Sequence, residues 1–336
     1  MNATDPRGYR LLAASLLVAA GVTSAVITGC GGGGSGSGGN GTITTGPTLA
    51  ITAENGEAVA ATVTTGVLAM FQITEGAEGP ILEPTAGSLS VLQKIGNMPG
   101  ALAQVPVQGT QPCDVSGSIS LSGNLADPTT ITEGDTITGI FENCDDGDGF
   151  VMDGRPELTV ADVEGDVFSD IFRLTLDMIL TALTVTSGGD SIAGDGDLAY
   201  TLDTLDFPAI LTALSGSELR IATGSEAVTF RNFEQTLEVN RGMVPTSYAA
   251  EASGRLHSSV LGGSADYGTV VTIRASGDDN PPYTGEILVS GANNSEVRIV
   301  VIGEEVVRLE IDVNGDGVVD EFIDTTWAAL IGERSS

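Results

Sequence analysis

Nine residues near the C-terminus have the composition of a cation-binding loop: Asp312-Val313-Asn314-Gly315-Asp316-Gly317-Val318-Val319-Asp320. Oxygen-bearing side chains fall at loop positions 1, 3, 5 and 9, with glycine at 6. Alternate residues can turn their oxygens into one concavity, and Gly317 permits the bend that brings Asp320 back. A hard cation takes about six to eight oxygens. Asp312, Asn314, Asp316, Asp320 and the Val318 carbonyl, with water, would supply them to calcium. Ile323 stands at position 12, where a bidentate glutamate would be expected. The other reading of the same residues is an acidic, glycine-rich hairpin turn with no ion. A partial echo, Asp145-Asp146-Gly147-Asp148-Gly149 with Asp153 beyond, aligns with two ligands missing, because Cys144 and Met152 take positions 1 and 9.

Three cysteines are present. Cys113 and Cys144 form an even pair in a chain that carries an export leader, and such a pair implies a disulfide. Their spacing matches no redox motif. His257 is the sole histidine, so a multi-histidine metal centre is excluded and any Ser-His-Asp triad would have to use it. It sits in Arg255-Leu256-His257-Ser258-Ser259, which reads as a strand, so a surface or hydrogen-bonded role is expected. The chain has no G-x-S-x-G elbow and no P-loop. With 45 acidic residues, nothing singles out a catalytic carboxylate pair. No catalytic residue is assigned.

The third cysteine belongs to the leader region. Arg7 and Arg10 precede an uncharged run from Leu11 to Thr28, a basic segment followed by an apolar one. The run ends in Ile27-Thr28-Gly29-Cys30, which resembles the lipobox of bacterial lipoproteins. That resemblance implies cleavage before Cys30 and acylation of it, with anchoring by two or three chains. Gly31 follows the cysteine in place of aspartate, and by the same resemblance this favours the outer membrane of a Gram-negative envelope. The stretch to Gly41, GGGGSGSGGNG, cannot bury apolar surface and reads as a flexible tether. Formal net charge is −32. A surface this acidic repels phosphate backbones and anionic headgroups, so no nucleic-acid partner is expected and membrane contact is expected through lipid alone.

These residues need elements to position them. From Cys113 onward the apolar period is two: Ile119/Leu121, Leu198/Tyr200/Leu202, Val297/Ile299/Val301, Val307/Leu309/Ile311/Val313. Between the runs lie turn clusters such as Ser187-Gly188-Gly189-Asp190, Gly277-Asp278-Asp279-Asn280 and Gly291-Ala292-Asn293-Asn294. Asp190 and Gly194-Asp195-Gly196-Asp197 are likewise read as turn and strand-edge residues. No helical run long enough for a parallel crossover separates the strands. The expectation is an all-β fold, a mainly antiparallel meander of about ten or more strands forming a sandwich or a strongly curved sheet. Aromatics are 4% of residues and form no girdles, which argues against a membrane-spanning barrel. The domain reading is leader 1–29, lipidated cysteine and tether 30–41, a loosely structured segment 42–110 or early strands covering the sheet, a β-rich domain 111–330 and a tail 331–336. Within 42–110 lie an apolar stretch, Val59 to Ile73, and a short helix candidate, Ser88 to Ile95.

The stretch from Cys113 through Glu133-Gly134-Asp135-Thr136-Ile137 to Asn143-Cys144 resembles a group of uncharacterised proteobacterial lipoproteins with a "GD…F.NC" pattern. Pro282-Tyr283-Thr284-Gly285-Glu286, Gly291-Ala292 and Thr325-Thr326-Trp327 fit the same pattern. The likeness covers about two thirds of the chain and implies a fold and an address, with no activity or substrate. The acidic loop, flanked by strands at Val306–Ile311 and Phe322–Thr326, looks more like the calcium hairpins of integrin-type propeller repeats than like an EF-hand. The resulting expectation is a lipid-anchored envelope protein with a non-catalytic binding or structural role. The alternatives are a calcium-dependent adhesion module and a hydrolase acting on an envelope polymer.

Overall fold

The computed structural model describes residues 47–75 and 107–331, apart from 127–129, 146, 148–149, 168, 170, 188–189, 225, 278–280 and 304. Helix α1 (Gly56–Glu75) comes first. Then β1 (Val107–Pro112), β2 (Ser116–Asn124), β3 (Thr136–Asp145), β4 (Phe150–Gly165), β5 (Phe172–Ser187), β6 (Asp190–Asp203) and β7 (Ala209–Thr223) follow. The chain continues through β8 (Glu226–Asn240), β9 (Ser247–Ser258), β10 (Gly263–Ser276), β11 (Thr284–Ser290), β12 (Glu296–Val301), β13 (Val306–Asp312) and β14 (Glu321–Thr326). It closes in a one-turn helix α2 (Trp327–Leu330). Among the described residues the 14 strands form one antiparallel sheet in sequence order, not closed into a barrel. The expected all-β antiparallel meander is what is seen, as a single hydrogen-bonded sheet.

A single sheet must bury its apolar face against something. Here the inward residues of β2 to β13 form one continuous core with Ile51, Val59, Ala60, Val63 and Val67 of the N-terminal segment. Within 42–110, expected to be loose chain or early strands, the described residues hold helix α1 and the start of β1. Val59 lies near the start of α1, and the buried positions Val59, Ala60, Val63, Thr64 and Val67 recur at helical spacing. β-branched residues disfavour helices only slightly, and burial against the sheet outweighs that preference. The helix candidate Ser88–Ile95 lies outside the described residues.

The sheet bends along a row of kinks. In β4, Gly154 has φ +119, and a Cβ there would meet the Ala182 carbonyl oxygen of β5 at 2.4 Å. In β6, Gly196 has φ +140, and a Cβ would lie 2.1 Å from the Glu218 carbonyl oxygen of β7. The partner strands bulge opposite them: registry shifts between Asp153 and Arg155 on β4, between Leu180 and Leu183 on β5, and between Gly196 and Ala199 on β6. Bulged residues Asn143 and Ala182 are left-handed, with φ +48 and +47. Bulges and strand glycines are how a pleated sheet turns a corner, and their alignment across neighbouring strands lets this one curve around α1.

Candidate functional site

Three aspartates pin the kinks. Asp153 Oδ2 accepts the Asn143 amide at 3.1 Å, and Asp195 Oδ1 accepts the Ala182 amide at 2.6 Å. Asp197 accepts the Ser217 amide at 2.8 Å, the Ser217 hydroxyl at 2.6 Å and the Glu218 amide at 3.3 Å. Each bulge frees an amide from the ladder, and the carboxylate on the neighbouring strand satisfies it. Partial burial pushes the Asp197 carboxyl up, but the Ser217 and Glu218 donors outweigh this and hold it below the usual range. The reading of 194–197 as turn and strand edge is corrected: β6 runs straight through them. The usable signal was an Asp-Gly pair inside an alternating apolar run, where a turn would reverse the chain too early.

The acidic loop is the β13–β14 connection, with strands on both sides as the sequence indicates. Asp312 is its hub. Its Oδ1 accepts the Asn314 amide at 3.2 Å and the Gly315 amide at 2.7 Å, and its Oδ2 accepts the Gly317 amide at 2.8 Å. Asn314 Oδ1 then takes the Asp316 amide, Asp316 Oδ1 the Val318 amide, and Asp320 Oδ2 the Val313 amide. Burial pushes the Asp312 carboxyl up, while the Gly317, Gly315, Asn314 and Asp316 amides together hold it low. Gly315 and Gly317 take positive φ, +73 and +81. The spacing thus builds a chain of side-chain turns over backbone amides. Among the described residues no three His, Cys, Asp or Glu side chains are grouped so as to hold a metal ion.

In the echo loop, Asp145 Oδ1 accepts the Gly147 amide at 2.8 Å, while Asp153 is committed to Asn143. Asp146 and Asp148 lie outside the described residues. The two cysteines meet: Cys113 and Cys144 stand at disulfide distance, with Cα atoms 5.5 Å apart. The link ties the turn before β2 to the end of β3, beside the bulge at Asn143. Cys30 and the leader lie outside the described residues. His257 Nδ1 is 3.2 Å from Ser264 Oγ, across the β9–β10 pair. Residues of the "GD…F.NC" pattern take structural places. Asp135, 2% exposed, accepts the Ala126 and Thr132 amides at 2.7 and 2.8 Å and so ties the β2–β3 loop. Phe141 is in the core, Asn143 is the bulge, and Cys144 joins Cys113.

Comparison with protein-family models, with curated proteins and with solved structures found no match to this chain.

Proposed function

We propose that this chain is a lipid-anchored protein of the cell envelope, held by acyl chains on Cys30 and presenting a β-sheet domain with a non-catalytic binding or structural role. The observation that carries the reading is Ile27-Thr28-Gly29-Cys30 behind a basic and apolar leader, followed at once by an eleven-residue glycine-rich tether to Gly41. Two further features support it. The remaining cysteines stand at disulfide distance, which suits an oxidising compartment. Side chains singled out in the sequence have architectural partners: Asp153, Asp195 and Asp197 accept amides at bulges, and Asp312, Asn314, Asp316 and Asp320 accept amides of a turn. The test is Cys30→Ser expressed in a bacterial host with radiolabelled fatty acid. Wild type should label and sediment with membranes, and the variant should do neither. Equal sedimentation with no label on wild type would end the proposal.

The competing reading is a calcium-dependent module, favoured by the loop spacing alone. A cation at Asp312–Asp320 would share side chains that each already accept at least one backbone amide. Differential stabilisation by calcium over magnesium separates the two readings.

A further inference from the structure

An open sheet has two edge strands, and here the two are not held alike. β1 leads directly into Cys113, whose link to Cys144 ties that edge to the end of β3. β14 is paired on one side only, with β13, and contains no cysteine. Its own sequence gives it little hold. The residues of β14 that face inward are those paired with Val307, Leu309 and Ile311 of β13, namely Thr325, Ile323 and Glu321. Of these three only Ile323 is apolar, and no residue of β14 is buried, whereas the three β13 partners are 0% exposed. On the outward side Arg308 Nε and Nη2 donate to Asp324 Oδ1 and Oδ2 at 2.8 and 3.2 Å, and the guanidinium lies 5.8 Å from the Phe322 ring centre. These contacts are exposed, and exposed ion pairs contribute little.

α2 supplies the hold that β14 lacks. Thr326 Oγ1 accepts the Ala329 amide at 3.1 Å and starts the turn. Trp327 and Leu330 are then buried, with α2 packed on α1. The Trp327 amide donates to the Glu305 carbonyl of the β12–β13 loop at 3.4 Å, longer than an ordinary amide bond. This clasp carries a built-in cost. Trp327 Nε1 is buried with no hydrogen-bond partner, and a donor taken from water without one opposes its own burial. At the other end of β14 the acidic loop is bonded within itself and to β13. Asp312 holds the Asn314, Gly315 and Gly317 amides, and the Asp320 amide donates to the Ile311 carbonyl at 2.8 Å. A loop tied in this way stays formed while the strand beyond it swings.

We propose that β14 and α2 form one arm, hinged after Asp320 and clasped by Trp327, which opens as a unit while the rest of the sheet stays folded. Opening bares the edge of β13, with the unpaired amides and carbonyls that any sheet edge presents, so the arm is a cover for that edge. Native-state hydrogen exchange of the full chain, read on peptic fragments by mass spectrometry, tests this, because protection reports the free energy of opening segment by segment. Residues 321–331 should exchange together, about tenfold or more faster than β5 to β8. Thr326→Ala removes the cap of α2 and should speed exchange in 321–331 about fivefold, with β5 to β8 unchanged. Asp197→Asn should do the reverse, speeding β5 to β8 and leaving 321–331 as they were. Trp327 is the one tryptophan of the chain, so its fluorescence reports the clasp alone. In rising urea its emission should shift to the red before the far-ultraviolet signal of the strands is lost. Equal protection of 321–331 and β5 to β8, a fluorescence change that coincides with loss of the strand signal, or a Thr326→Ala effect spread over the whole sheet would overturn the proposal.

Discussion

Gly196→Ala should be among the most damaging single-methyl additions in the sheet. Two costs combine. The backbone at φ +140 is open to glycine and strained for alanine, and the new Cβ would lie 2.1 Å from the Glu218 carbonyl oxygen and 2.8 Å from Leu219 Cα. The neighbour is backbone, not the tip of a side chain, so β7 itself must move. Strained backbone costs about 1–3 kcal/mol and forced overpacking about 1–3 kcal/mol, giving about 2–6 kcal/mol together. Any shift of β7 also loosens the Ser217 and Glu218 amides held by Asp197. Gly224→Ala is the control. It has positive φ, +59, but nothing within 4 Å of its Cβ, so only about 1–2 kcal/mol of left-handed strain applies. Urea unfolding of both variants reads the difference. With a slope of about 2–3 kcal/mol per molar, the midpoint of Gly196→Ala should fall by about 1–3 M, and that of Gly224→Ala by less. If the two variants lose the same stability, the row of kinks is not what shapes the sheet.

Three further outcomes are expected. Asp197 has a folded pKa below its unfolded value, so its contribution is present above the unfolded pKa and lost as pH falls through the folded one. Asp197→Asn should flatten the acid limb of a stability profile below about pH 5, and an unchanged slope in urea midpoints would contradict the bulge-pinning role. Reducing the Cys113–Cys144 pair should lower stability by about 3 kcal/mol, and peptide mapping without reductant should find the two linked, where two free thiols would refute the pairing. Millimolar calcium and magnesium should raise the melting temperature equally if the acidic loop is only a turn screened by salt. A larger calcium shift that Asp316→Ala removes would instead give the loop to the calcium-dependent reading.

Much of the fold was legible because alternation is a local signal. Val307, Leu309 and Ile311 against Arg308 and Glu310 gave β13 and its inward face directly, and Asp312 to Asp320 gave the hairpin that follows. The helix was missed because Val59–Ile73 is rich in β-branched residues and shows its period only once the sheet face beneath it is known. Strands of 14 to 16 residues were missed for a related reason. Asp-Gly inside β4 and β6 looks like a turn in sequence, yet the bulge on the partner strand lets the ladder run past it. Of the candidate site, residue types and spacing were readable, but what the oxygens do was not. Whether a carboxylate faces a cation or a backbone amide depends on the fold of the loop.

The most direct test of the lipid anchor is mass analysis of the N-terminal peptide of the mature protein from the envelope. The expected peptide begins at Cys30, carries a diacylglyceryl group on sulfur, and has lost Met1 to Gly29. A mature chain that keeps the leader, or begins at another residue with an unmodified Cys30, would contradict it.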